Sequence, residues 1–124
     1  MVFFQLFANN PKLLRVPAGE VLFREGDDGQ VLYVLTEGTA NITVKGYVVE
    51  EMVAGSIVGE MCLVAPGPRS ATVQALTDCQ FAEIDEKRFH YLVQQTPFFA
   101  IQVMKIMAER LRNADRAIAS LINN

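Results

Sequence analysis

The chain has 124 residues, 51% of them hydrophobic and 20% charged, with a net charge of −3. That is enough for one packed domain, and the acidic balance excludes direct nucleic-acid binding, which draws on clustered Lys and Arg against phosphates. No apolar run reaches the roughly 18–20 residues of a membrane span, and residues 1–10 (MVFFQLFANN) lack the basic start and cleavage site of a secretory signal, so the expected location is the cytoplasm.

Residues 1–10 are followed by short runs rich in Val, Ile, Leu, Tyr, Phe and Thr, punctuated by glycines. EVLFR, QVLYVLTEG, TANITVKG and YVVEEMV each fit a strand of four to seven residues. In TANITVK the alternation puts Ala40, Ile42 and Val44 on one face and Asn41, Thr43 and Lys45 on the other. Lys45-Gly46 marks a hairpin corner, and GDDG over 26–29 is a turn cluster without the ligand spacing of a calcium loop. SATVQAL and CQFAEI supply two further strands. Many short strands at close spacing predict an antiparallel β-barrel or jelly roll.

After Asp85 the period changes. Asp85 reads as an N-cap for DEKRFHYLVQQ, with Phe89, Leu92 and Val93 on one helical face. Thr96-Pro97 pairs a second N-cap residue with a proline at the first helical position, and neither glycine nor proline interrupts from there to Ile122. A single domain over 1–124 is therefore expected, with the barrel over about 12–84 and helices over about 85–122.

The long helix carries a heptad seam at Met104, Met107, Leu111, Ala114, Ile118 and Leu121. In that frame Arg110 is a g residue and Asp115 an e residue, able to pair between two parallel copies. Phe99, Val103 and Ile106 give the helix a second apolar side. One side is assigned to the barrel and one to a partner, so a homodimer through this helix is expected.

Two charged residues stand alone between Glu51 and Asp78: Glu60 and Arg69, in GSIVGEMCLVAPGPRSATVQAL. Ionised groups in apolar surroundings are costly unless paired. Arginine forks match phosphate oxygens, and glycines let backbone N–H groups approach an anion. Gly59-Glu60 leads into Met61-Cys62-Leu63-Val64, a short helical stretch whose start presents free amides. Pro66-Gly67-Pro68 then turns the chain so that Arg69, with Ser70 beside it, opens a strand. One arginine and no lysine suit a singly charged phosphodiester. Glu60 would repel that charge, so it suits ligand hydroxyls, as on a ribose. Phosphate plus sugar hydroxyl describes a nucleotide. The bland alternative is a surface Glu–Arg pair bridging a loop.

Cys62 and Cys79 are too few and too isolated for a disulfide framework or zinc site, and read as buried free thiols. His90 is the only histidine, which leaves no metal cluster or triad.

The stretch GSIVGEMCLVAPGPRSATVQA resembles the phosphate-binding cassette of cyclic nucleotide-binding domains: glycine-x-x-x-glycine-glutamate, a short helix, then arginine followed by small residues. Upstream, PAGEVLFREGDDGQVLYVLTEGTANI resembles that family's first strands. The match runs from residue 14 to about residue 90. It implies a β-barrel jelly roll with flanking helices that binds a cyclic purine mononucleotide. By the same resemblance Arg69 takes the exocyclic phosphate oxygens and Glu60 the ribose 2′-hydroxyl. Backbone amides of Gly59, Ser70 and Ala71 complete the cradle, and Ser70 and Thr72 lie where base and phosphate are approached. Together with Met61 and Cys62 these are the candidate ligand-binding residues. Cyclic AMP is the expected ligand and cyclic GMP the alternative. In the family a residue of the long helix often caps the base, for which Arg112, Asn113, Asp115 and Arg116 are the candidates.

The chain departs from the pattern in three places. About ten residues precede Pro11, where the family usually has a helical lead-in. The 124 residues contain no helix-turn-helix after the long helix and no channel or kinase output domain; if they are the whole gene product, no effector is expected in cis, and the output partner is not named by this sequence. The leading expectation is a non-enzymatic sensor. A dimerisation or protein-interaction module with an empty pocket is the alternative. A phosphodiesterase would need a base or metal near the phosphate, and the segment supplies neither.

Overall fold

The computed structural model describes Phe7 and residues 10–123, so the reading of residues 1–10 as free of a secretory signal lies largely outside the described residues. Among the described residues eight strands form two four-stranded sheets in which every pairing is antiparallel. They are β1 (Leu13–Val16), β2 (Val21–Phe23), β3 (Leu32–Glu37), β4 (Ala40–Val44), β5 (Tyr47–Met52), β6 (Ile57–Val58), β7 (Thr72–Ala75) and β8 (Cys79–Ile84). One sheet runs β1-β8-β3-β6 and the other β2-β7-β4-β5. The two face each other as an open roll rather than a closed barrel.

Two core clusters lie on the two faces of β3 and β8 and explain the unbroken apolar run over residues 32–35 in β3. Leu35 of β3 and Phe81 of β8 point between the sheets, with Phe23, Ile42, Met52 and Val73. Leu32 and Val34 of β3 and Ala82 and Ile84 of β8 point the other way, onto Leu92, Phe99 and Val103 of the helices. A strand covered on both faces has no reason to alternate. β4 is covered differently, and Ala40 and Ile42 are buried while Asn41 and Thr43 are half-buried. Lys45 and Gly46 take φ of 51° and 83° and join β4 to β5 as a two-residue hairpin corner, where both central positions need positive φ.

Helix α1 (Glu86–Gln95) begins where Asp85 accepts a hydrogen bond from the Arg88 amide at 2.7 Å. Helix α2 (Phe98–Asn123) follows Thr96-Pro97. Its first half packs on the roll through Phe99 and Val103, with Ile106 and Met107 partly buried beside them. From Leu111 to Asn123 every residue is exposed. Met107, assigned to the free seam from its spacing, therefore belongs to the packed side. Met104, Leu111, Ile118 and Leu121 are the large seam residues left open, at 54%, 64%, 56% and 76% exposure, with Ala114 exposed among them. Among the described residues no helix is long and apolar enough to cross a membrane.

Candidate functional site

The cassette is built on β6, which pairs with β3 through Tyr33–Val58 and Val34–Ile57. Gly59 then turns left-handed, with φ of 81°, and a single 3-10 turn runs over Glu60–Leu63. Pro68 bridges to Asp28, the Arg69 amide donates to the Asp27 carbonyl at 2.7 Å, and the Arg69 carbonyl accepts from the Gly26 amide at 2.9 Å. The GDDG turn thus pins the Arg69 backbone from below.

The Arg69 side chain is 9% exposed and lies over the Phe23 ring, with its guanidinium carbon 4.3 Å from the ring centroid. Nη2 donates to the Val31 carbonyl at 2.8 Å, while buried Nε has no hydrogen-bond partner. A Cβ on Gly29 would collide with the guanidinium, and one on Gly59 would come within 2.5 Å of Nη1. Two glycines therefore form the slot in which this cation lies. No carboxylate among the described residues pairs with it.

Glu60 is also buried, yet it does not meet Arg69. Its Oε1 accepts from Arg110 Nη1 of α2 at 2.6 Å. Arg110 Nε and Nη2 each donate to Glu50 of β5 at 2.9 Å, and Nη2 also donates to the Ile57 carbonyl at 2.6 Å. Burial works to lower the Arg110 pKa, but the hydrogen bonds to Glu50 and the Glu60 charge outweigh it and hold the guanidinium above its ordinary range. The heptad frame paired Arg110 with Asp115 of a second copy. That expectation is corrected: the side chain turns inward because two carboxylates and a carbonyl of its own chain offer four short bonds.

Arg69, Arg110, Glu50 and Glu60 line one cavity of about 710 Å3. Ile42, Val44, Val48 and Val49 form an apolar wall, and Asn113, Ala114 and Ala117 of α2 close the far side. Of the residues singled out from sequence, Gly59, Glu60, Met61, Cys62, Arg69, Ser70 and Ala71 come together on this lining. Thr72 does not line it; its hydroxyl accepts from the Glu25 amide at 3.0 Å instead. Cys62 is half-buried rather than fully buried, unlike Cys79. Burial raises the Cys62 thiol pKa, with Arg69 pulling it down and Glu60 pushing it up. Of the helix candidates for capping, Asn113 alone reaches the cavity; Arg116 donates to Asn113 Oδ1 at 3.3 Å, and Arg112 and Asp115 are not on the lining.

Glu50 and Arg110 were absent from the sequence-based site. A signal for Arg110 does exist: residues 110, 113, 114 and 117 fall at i, i+3, i+4 and i+7, one stripe of the helix. Among the described residues no cluster of His, Cys, Asp and Glu could hold a metal ion.

The buried Arg69 and the buried Glu60 thus share one partly apolar cavity of an open two-sheet roll, the architecture of a small-ligand binding domain. The chain belongs to the cyclic nucleotide-binding domain family, whose model matches residues 13–96. Lysophospholipase nte1 of Aspergillus oryzae is 31% identical over 105 residues, covering 81% of this chain and 7% of that protein. The cAMP-activated global transcriptional regulator CRP of Salmonella typhimurium is 29% identical over 121 residues, covering 93% of this chain and 58% of that protein. The crystal structure of Thermus thermophilus catabolite activator protein superposes with a TM-score of 0.79 at 27% identity, covering 97% of this chain and 57% of that one. The chain thus spans a small part of the first relative and somewhat over half of the other two.

Proposed function

We propose that this chain is a non-enzymatic cyclic nucleotide sensor, with cyclic AMP as its ligand and cyclic GMP as the closest competitor. The observation that carries the reading is Arg69: a buried guanidinium with no carboxylate partner and an unpaired Nε, on the same cavity as a buried glutamate. Arg69 takes the exocyclic oxygens of the cyclic phosphate, with the amides of Gly59, Ser70 and Ala71 beside it. Glu60 uses Oε1 on Arg110, which leaves Oε2 for the ribose 2′-hydroxyl. The purine lies along Val48 and Val49, facing Asn113 and Ala114. Preference for cyclic AMP is supported by the name of the Salmonella relative.

Because Arg110 ties α2 to Glu60, occupancy of the ribose end is felt by the helix. That coupling supports α2 as the output element, in the cytoplasm, through a homodimer along Met104, Leu111, Ile118 and Leu121. A ligand moves such an equilibrium only by binding one state more tightly than the other.

A thermal-shift panel of cyclic AMP, cyclic GMP and a cyclic dinucleotide tests the binding. Cyclic AMP at 100 times its dissociation constant should add about 2.7 kcal/mol of stability. A flat panel would refute the sensor reading and favour an interaction module whose pocket stays empty.

A further inference from the structure

Arg110 has few means of holding its own direction. Its nearest fully buried neighbour on α2 is Val103, two turns earlier, and the helix is exposed from Leu111 onward. Three groups hold the guanidinium: Glu60, the Ile57 carbonyl, which accepts from Nη2 at 2.6 Å, and Glu50, which alone grips it at two points. Two parallel bonds of 2.9 Å, from Nε and Nη2, set the plane of the group. A planar fork fixed on one edge has its remaining nitrogen fixed too. That nitrogen is Nη1, which reaches Glu60 at 2.6 Å.

Glu50 is placed with equal care. The β4–β5 register pairs Ile42 with Glu50 but Thr43 with Val48, so Val49 is an extra residue in β5. Such a bulge re-aims side chains. Here Val48, Val49 and Glu50 all line the cavity, which strict alternation does not allow for three consecutive residues.

We propose that Glu50 is a positioning residue for the ribose end of the cavity: its two-point grip on Arg110 aims Nη1 at Glu60 and so orients the carboxylate that meets the 2′-hydroxyl. This rests on the assignment of Glu60 to the ribose made above. Glu50 does not touch the sugar in this account; it acts through Arg110.

The test is calorimetric titration of cyclic AMP and 2′-deoxy cyclic AMP into wild type, Glu50→Gln, Glu60→Gln and the double variant. Wild type should prefer cyclic AMP by about tenfold or more, the scale of one hydrogen bond to a charged group. Glu50→Gln should shrink that ratio to about threefold or less, and adding it to Glu60→Gln should shrink it no further. Arg110→Lys, which keeps the charge but cannot form the fork, should narrow the ratio as Glu50→Gln does. A ratio that survives Glu50→Gln, with both affinities unchanged or equally reduced, overturns the role of Glu50 while leaving the ribose assignment standing. Wild type binding both nucleotides equally overturns the ribose assignment itself, and wild type binding neither overturns the sensor reading on which it rests.

Discussion

The two ends of the cavity treat their arginines in opposite ways. Arg110 is matched by two carboxylates and a carbonyl, and all its short bonds stay within the chain. Arg69 is more deeply buried, yet it has one carbonyl bond, an aromatic ring beneath it and an unpaired Nε. A buried charge without an opposite charge costs stability. The difference supports the proposal that the Arg69 end receives an anion while the Arg110 end holds the structure.

The comparison can be broken at either end. Arg69→Ala should carry the largest effect, weakening cyclic AMP binding by about 2–5 kcal/mol while the fold persists; calorimetry that finds affinity unchanged would remove the phosphate assignment. Arg110→Ala should instead show in stability. Glu60 would be left buried without its partner, and after discounting for the partial exposure of Arg110 the loss is about 2–3 kcal/mol in a urea titration. Glu60→Gln should cost about 1–3 kcal/mol of affinity, confined to nucleotides that carry the 2′-hydroxyl. Substituting Leu111 and Ile118 together by Glu should abolish the proposed dimer, giving a single species near 13.8 kDa in sedimentation velocity where wild type should show twice that mass. The finest effect falls on Cys62, whose thiol pKa burial raises, Arg69 lowers and Glu60 raises. Arg69→Ala should therefore move the pH midpoint of Cys62 alkylation upward and Glu60→Gln should move it downward, both followed by mass spectrometry.

The cassette end was the more legible of the two in sequence, because its residues are contiguous. Glu60 and Arg69 are nine positions apart, bracketed by glycines and prolines, and isolated charges in a neutral stretch stand out. The Arg110 end was not legible, because Glu50, Glu60 and Arg110 come from three elements and 50 residues separate the two sides of the Glu60 pair. A heptad frame gave Arg110 a plausible external partner, and nothing local contradicted it. Six strands followed from glycine spacing and β-branched runs, and Asp85 followed from capping chemistry. β1 was missed because Leu13, Leu14 and Arg15 are all exposed and show no alternation. β6 was missed because two residues carry no period at all. Thr72 was placed in the site by the family resemblance, but it lies off the cavity lining and its hydroxyl accepts from the Glu25 amide.

A crystal structure of the chain with cyclic AMP tests the division between the two arginines most directly. The account predicts the exocyclic phosphate oxygens within about 3 Å of the Arg69 guanidinium, the 2′-hydroxyl on Glu60, and Arg110 still gripping Glu50. A phosphate seated on Arg110, with Arg69 keeping only the Val31 carbonyl, would contradict it.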